Sequence, residues 1–466
     1  MLRQPFYLTG FALAVAAHAA PSASAQEKTA EKPFRLGSTI GAPDWLKVSG
    51  SIRPRYETLG NTFYAGRTGG DELFSVQTLL KVEAGTGDFV IGGELLDARL
   101  LSGNAGGGAA AEVDALEPAQ FYLAWRPKNF LMQGANLDLT LGRFTMDIGS
   151  RRLAARANYR NILTQFDGVR AIWTSADKLK ATAFYSTVAP RIPSDQPSAL
   201  DNEVAFNPVE DNVRFSGLDI ETPLPGGIVG ELYLLDLDEK DAAGLPTRNR
   251  DLSTLGGRLR VAPKTGAFDF EIEYAGQTGT VRATTSPADV TNLDHDASML
   301  HLEGGVTFDG PWTPRIAVQL DHATGDRSPA DLSSERFDSL FGDRSFEYGP
   351  TSIYGAVART NMLSPALRLE FKPDGDSDAY IAIRRITLDQ SRDSFANSGV
   401  RDASGASGDD AATQLDFRYR RWLVPDSVRW SFGAARLFRG DFLKQAPNAT
   451  GQGDALFGFT DVTWTF

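Results

Sequence analysis

The sequence predicts an all-β fold: a transmembrane antiparallel β-barrel of about 18 strands, with short periplasmic turns and long extracellular loops. Three observations lead there. Apolar/polar alternating segments follow one another from Val48 to Phe466. The links between them switch regularly between short and long. Gly85–Asp88, Ser175–Lys178, Thr222–Gly227, Ala262–Gly266, Asp309–Thr313 and Val424–Ser427 are short. Gly60–Asp71, Leu100–Ala115, Pro190–Asp211, Lys240–Arg250, Thr280–Asp294, Gly325–Arg359, Gln390–Asp410 and Gly440–Asp454 are long. A soluble sheet has no reason to gather its tight turns on one side, whereas an outer-membrane barrel does so. The chain also ends on an aromatic residue, Phe466, in a strand that sets Val462, Trp464 and Phe466 on one face.

From the N-terminus, residues 1–25 read as a secretory signal peptide. Arg3 is its charge, Phe6–Ala17 its apolar run, and Ala23-Ser24-Ala25 its small-x-small cleavage site, with Ala17-His18-Ala19 as an alternative. The run is too short to span a bilayer. Residues 26–46 are polar, carry Pro33 and Pro43 and show no periodicity, so they are expected to be a periplasmic lead-in with no fold of its own. Residues 47–466 form the barrel. Its segments start near residues 48, 72, 88, 117, 137, 166, 179, 212, 228, 252, 267, 296, 314, 362, 379, 411, 428 and 455. Charges fall on every second residue: Arg53, Arg55 and Glu57 alternate with Ile52 and Tyr56, and Asp269, Glu271 and Glu273 with Phe270 and Ile272. That period of 2 excludes a helix, in which these charges would wrap all the way round. An even count puts both termini in the periplasm and every long link outside. Trp125, Trp173, Tyr185, Trp312, Trp422, Trp430 and Trp464 sit at strand ends, as interfacial girdles require.

Composition removes several classes. The chain has no cysteine, which excludes thiolate catalysis, Zn–Cys sites and iron–sulfur clusters. A net charge of −12 argues against nucleic acid as a partner. Mean hydropathy is −0.24, and no stretch is apolar and long enough for a membrane helix. That is compatible with a barrel, whose strands carry only alternate apolar positions. The expected surroundings are outer-membrane lipid of a Gram-negative cell and, during insertion, the barrel-assembly machinery.

One stretch stands apart. It reads Gly142-Arg143, then Asp147-Ile148-Gly149-Ser150-Arg151-Arg152-Leu153, then Asn158-Tyr159-Arg160-Asn161, then Phe166-Asp167-Gly168-Val169-Arg170. Its dense charges of both signs fall in a link that the topology places outside or folded into the mouth. The order resembles the alginate export family of outer-membrane proteins, with its Gly-Arg strand, Asp-x-Gly-x-x-Arg-Leu-like segment, aromatic/Arg/Asn cluster and Phe-Asp-Gly-Val-Arg strand. Phe337-Asp338-Ser339-Leu340-Phe341 with Tyr354-Gly355 resembles a second family segment, although Gly342-Asp343-Arg344 stands in place of its Pro-Thr-Asn-His run. Gln414-Leu415-Asp416 and Arg439-Gly440-Asp441-Phe442-Leu443 resemble a third, with Gln414 departing from the family's Glu. The resemblance covers essentially the whole mature chain. It implies an 18-stranded barrel whose arginine-lined lumen conducts a polyuronate, with Arg143, Asp147, Arg151, Arg152, Arg160, Asp167 and Arg170 on the pathway.

Strand parity adds to that set. Taking the polar face as the lumen puts Arg53, Arg55, Arg126, Arg170, Arg258, Arg260, Arg315, Arg368 and Arg418 inside. Arg53/Arg55 and Arg258/Arg260 are i, i+2 pairs, about 7 Å apart on one face. Guanidinium forks hold carboxylates bidentately, so a series of them suits an anionic saccharide or other carboxylate. The competing role is bracing, by pairing with Glu57, Glu94, Asp416 and similar residues. Two other functions stay open: an uptake porin for small carboxylates or sugars, and a barrel hydrolase, for which Asp321-His322 is the adjacent pair. No cofactor or metal is expected. His295, His301 and His322 lack metal spacing, and Asp374-Gly375-Asp376-Ser377-Asp378 lacks a calcium loop's final Glu. The glycine-rich run from Ser102 to Gly108 reads as a flexible loop.

Overall fold

The computed structural model describes residues 33–103 and 111–466. The expected signal peptide, residues 26–32 of the lead-in and most of the glycine-rich run lie outside the described residues. Eighteen antiparallel strands close into a barrel: β1 (Leu46–Gly60), β2 (Asp71–Thr86), β3 (Phe89–Gly103), β4 (Asp114–Trp125), β5 (Asn136–Phe144), β6 (Phe166–Thr174), β7 (Lys180–Val188), β8 (Val213–Pro223) and β9 (Val229–Glu239) form one half. The other half is β10 (Asp251–Val261), β11 (Phe268–Val281), β12 (Leu293–Thr307), β13 (Arg315–Ala323), β14 (Met362–Asp374), β15 (Ser377–Thr387), β16 (Asp410–Val424), β17 (Val428–Arg439) and β18 (Ala455–Thr465). Every expected start falls within three residues of an observed one. The links alternate as expected, with Gly87-Asp88 between β2 and β3 and residues 324–361 between β13 and β14.

Parity sorts the wall. In β10, Leu255 and Leu259 face outward, while Thr254 and Arg258 are buried inside. The outer face carries exposed Phe121, Leu123, Leu232, Val318 and Leu456, as a lipid-facing belt requires. All seven tryptophans cluster at the short-turn end, so the tryptophan girdle is one-sided. The inner face departs from the expected polar parity. Toward the loop end it turns apolar: Phe144, Phe166, Phe184, Phe215, Leu235, Leu237 and Leu252 point inward. The reason is that the long loops fold in and need a core to pack on.

Closure joins β1 to β18, from Ser51 opposite Thr465 to Gly60 opposite Leu456. Gly50 and Phe466 extend this pairing, with N–H···O distances of 2.9 and 3.0 Å. A Cβ at residue 50 would lie 2.4 Å from the Leu79 carbonyl oxygen and 2.7 Å from the Phe466 ring, so only glycine fits. The lead-in has more structure than expected. A one-turn helix, Leu36–Thr39, follows Phe34, whose ring lies 5.7 Å from that of Trp464 and 6.4 Å from that of Phe466. The aromatic end of β18 supplies a surface that composition alone did not reveal.

Candidate functional site: the lumen and its plug

Two loops build a plug across the barrel. Residues 145–165 follow β5 and residues 324–361 follow β13. They meet as a short parallel pair: Ala155 N–H donates to Phe341 O at 3.0 Å, Phe341 N–H to Leu153 O at 3.0 Å, and Asp343 N–H to Arg151 O at 2.9 Å. Gly342 permits this approach, since a Cβ there would sit 1.8 Å from Arg152 O. Phe341 inserts among Phe166 and Phe215, with ring centroids 6.1 and 5.0 Å away. On the far side Tyr354 stacks on Phe457 at 5.2 Å.

Charge ties the plug to the wall at two places. Arg152, on the first loop, binds Glu271 and Glu273 of β11 and Glu347 of the second loop. Arg359 also binds Glu347. Beside them, Asp321 of β13 accepts from His301 at 2.7 Å, from Arg384 at 2.7 Å and from Tyr348 at 3.0 Å. At the second place Arg53 and Arg55 of β1 reach the plug backbone. Arg53 donates to Asn158 O and Arg160 O, both at 2.7 Å, and Arg55 to Tyr159 O.

Chambers lie on both sides of this plug. One of about 230 Å³ lies between the plug and the β15–β1 wall and is lined by Arg53, Arg55, Arg151, Arg418, Arg420 and Arg429 against Asp343 and Asp461. It shares Tyr380, Arg418 and Arg420 with a neighbouring chamber of about 350 Å³ toward the short-turn end, which adds Arg315, Arg368 and Lys372 against Glu370 and Asp378. A third, of about 360 Å³, lies against β8–β14 and is balanced: five arginines face five glutamates. A vestibule of about 370 Å³ is built mostly from loops on the other side of the plug, and Arg160, Arg191, Arg344 and Arg359 line it with no carboxylate among the described residues. Burial, then the charge of Arg160, lowers Arg191 below the usual guanidinium range and pushes Arg344 down to about 10. Burial and the Arg152 charge push Arg359 down to about 9.

The sequence-predicted residues divide by partner. Arg258 is clamped by Glu231 at 2.5 Å, Arg260 reaches Glu221 at 3.3 Å, and Arg315 holds Asp269, Glu303 and Glu370. Arg126 bridges Glu83 and Asp138. Arg143 joins Glu117, Asp167 and Asn207 O, so Arg143 and Asp167 act as struts and line none of these chambers. Asp147 accepts from Arg156 N–H inside its own loop. These arginines brace, although through Glu221, Glu231, Glu303 and Asp269 rather than through Glu57 and Asp416. Among the described residues, Arg151, Arg160 and Arg170 pair with no carboxylate: Arg151 stacks over Phe346 at 4.6 Å and Arg170 donates to Thr145 O. Arg368 and Arg418 flank the Tyr380 ring at 3.8 and 4.9 Å, with Glu370 and Asp378 as partners.

Other expectations resolve by geometry. Asp321 and His322 take opposite faces of β13, and the His322 ring pairs with Asp389 at 2.7 Å, so they form no dyad. His301, Asp321 and Glu347 converge closely enough for a metal ion. Arg152, Arg359 and Arg384 already compensate those carboxylates, and three guanidiniums would repel a cation there. Asp374 accepts from Ser377 and Asp376 in its own turn, and Asp378 holds Arg418 and Arg420. The sequence reading missed Arg191, Arg344, Arg359, Arg420 and Arg429. Arg420 shares the parity of Arg418 in β16 and was detectable; the three loop arginines carry no periodicity to mark them.

A family profile described as alginate export matches residues 44–455. No curated protein matches the chain. Among solved structures, the fold is similar to Pseudomonas aeruginosa OccK8 (OprE), with a TM-score of 0.57 at 11% identity over 90% of this chain and 98% of that one. It is similar to Pseudomonas aeruginosa OccK2 (OpdF) in complex with glucuronate, with a TM-score of 0.53 at 12% identity over 90% and 96%. OccD3 (OpdP) of the same organism gives a TM-score of 0.55 at 10% identity over 91% of each chain.

Proposed function

The chain belongs to the alginate export family of outer-membrane proteins, and from that premise we propose that this outer-membrane channel passes an anionic saccharide of the polyuronate type along its arginine-bearing chambers. The observation that carries the reading is the sign of those chambers. The protein as a whole has a net charge of −12, yet the β15–β1 chamber sets six arginines against two aspartates. A low-dielectric wall focuses such a field on the pathway and raises the local concentration of anions. Arg418, Arg420 and Arg429 would offer successive weak stations, which a pore needs if it is to release what it binds. Polyuronates present one carboxylate per sugar, a repeat that suits such a series. The solved relative OccK2 holds glucuronate, a uronate monomer.

The test is the reversal potential of the channel in a planar bilayer under a salt gradient. The wild type should prefer anions, and the preference should fade as salt shortens the Debye length below about 8 Å. Changing Arg418, Arg420 and Arg429 to Gln keeps side-chain reach while removing three charges. The triple variant should fold and lose most of the preference. An unchanged reversal potential would remove the chamber from the pathway.

A further inference from the structure

Arg53 and Arg55 differ from the other wall arginines in what they hold. Arg258 and Arg315 end on carboxylates of neighbouring strands. Arg53 ends on peptide carbonyls: its two Nη prongs donate to Asn158 O and Arg160 O at 2.7 Å each. Arg55 donates one prong to Tyr159 O and the other to Asp461 at 3.3 Å. Two residues apart on β1, they therefore grip three successive carbonyls of the plug. Both side chains are at least nine-tenths buried, and the Nε of each has no partner. Arg53 pairs with no carboxylate among the described residues.

Neutral carbonyls are weak acceptors for a guanidinium. A carboxylate forms shorter, roughly twice as strong bonds and can satisfy both prongs at once. The chamber lined by Arg53 and Arg55 also presents Arg418, Arg420 and Arg429, so an anion drawn to those residues arrives beside the grip. Other contacts also hold residues 158–161: Asn161 donates to Val76 O at 3.3 Å and to Glu112 at 2.8 and 3.0 Å, and Arg55 lies over the Tyr159 ring at 4.2 Å. Gln77 donates to Asn161 O at 2.7 Å, the Tyr159 hydroxyl donates to Glu57 at 3.2 Å, and the Tyr159 ring lies 5.8 Å from Phe459.

We propose that Arg53 and Arg55 form a masked carboxylate-binding site, occupied in the closed channel by the carbonyls of Asn158, Tyr159 and Arg160, and that a substrate carboxylate entering the chamber displaces those carbonyls and releases the plug. The inference rests on the channel reading above and adds a regulation to it: the cargo opens its own path. A ligand can open the plug only by binding the released state better. The exchange of three neutral carbonyl acceptors for a charged carboxylate supplies that difference.

The experiment uses the full-length protein in planar bilayers with trigalacturonate as the probe, added from the short-turn side at constant ionic strength. Wild-type opening rate should rise at least tenfold with trigalacturonate and stay flat with the same ionic strength of chloride. The Arg53→Gln/Arg55→Gln variant should open at least tenfold more often without the probe and respond no further. Wild-type opening that ignores trigalacturonate, or a double variant as closed and as responsive as wild type, would overturn the proposal. A second measurement does not need that variant to fold. The chain has no cysteine, and Ala157 is 8% exposed beside the gripped segment. In an Ala157→Cys protein, modification by a membrane-impermeant maleimide should quicken at least tenfold with trigalacturonate, and an unchanged rate would sink the latch. The two readings separate cleanly. An anion-selective channel whose introduced thiol ignores the probe keeps the transport reading and loses the latch. A pore without anion preference whose introduced thiol still responds does the reverse.

Discussion

Replacing Arg152 by Met should open the plug without harming the barrel. The guanidinium is 3% exposed and binds three carboxylates: Glu271 at 2.5 Å, Glu273, and Glu347 on the other loop. Met retains much of the side-chain volume, so the change is mainly electrostatic. Glu273 keeps only hydroxyl partners, Tyr233 at 2.9 Å and Ser150 at 3.1 Å, and Glu347 keeps Arg359. Removing one partner of a buried ion pair costs about 3–5 kcal/mol, because the charge left behind is uncompensated. Here that cost falls on docking of the loops, since the strand ladder of β11 does not involve Arg152. The undocked fraction should then rise between about a hundredfold and a few thousandfold. Single-channel recording would read this as open probability, and heat-modifiable migration in gels would report the intact barrel. Arg126→Met is the control, because Arg126 pairs with Glu83 and Asp138, both on the wall strands. It should leave open probability unchanged. A folded Arg152→Met channel as closed as wild type would refute the assignment of this cluster as the plug's anchor.

Three further outcomes follow from the same geometry. Gly50→Val should abolish the heat-modifiable barrel, because the new side chain meets the Leu79 carbonyl at 2.4 Å and overpacking costs about 1–3 kcal/mol before the lost Phe466 pairing is counted; a normal folded yield would contradict the seam. Single cysteines should label from the cell exterior at Leu332, which is 69% exposed, from the periplasmic side at Trp312, which is 59% exposed, and slowly from either side at Ile353, which is 5% exposed; fast exterior labelling of Ile353 would mean the second loop is not folded inward. Burial raises the Asp338 carboxyl, but Arg250 at 2.7 Å, together with the Leu340 N–H and the Arg248 charge, more than offsets this and holds it below the usual range. Its contribution to docking is therefore present above about pH 3.9 and lost as pH falls through the lowered value. In Arg250→Gln the buried carboxyl loses the largest part of that offset and rises, so docking should weaken as pH climbs above about 4, a reversed slope readable by protease cleavage within residues 324–361.

The barrel was legible because a strand in lipid has so few options. Its outward positions must be apolar, its ends must turn, and its last strand must find its first. Asp269, Glu271 and Glu273 could alternate with Phe268, Phe270 and Ile272 only in one register, and β11 adopts it. The limits appeared where a second packing demand entered. Glu117 belongs to a strand that begins three residues earlier, at Asp114, because a register shift between Glu94 and Leu95 breaks its alternation opposite β3. Phe184, Leu235 and Leu237 face the lumen, against a parity rule that reserves it for polar residues. They obey the plug, which brings its own apolar surface through Phe341, Tyr348 and Tyr354. Nothing in a strand's own period announces a loop that returns to cover it.

The site was harder, and the reason lies in arginine itself. Parity assigned Arg53, Arg258, Arg315 and Arg418 to the inner face, but a side chain on that face is not thereby available to cargo. Availability depends on the acceptors that fold around it, and these come from elsewhere in the chain. Arg258 meets Glu231 because β9 lies beside β10 in register. Among the described residues Arg53 meets no carboxylate, because the loop that reaches it presents its backbone. The same residue type thus serves as brace, latch and station. A count of lumen arginines cannot separate these roles, since a clamped pair adds no net charge to the pore. The balanced chamber, with its five arginines and five glutamates, would show no preference for either sign despite its wealth of arginine. Selectivity has to come from the places where carboxylates run short. Those are the β15–β1 wall and the vestibule, and between them lies a plug held partly by its own peptide carbonyls. On the proposed channel reading, an anion drawn toward the excess of positive charge would meet the grip of Arg53 and Arg55 next.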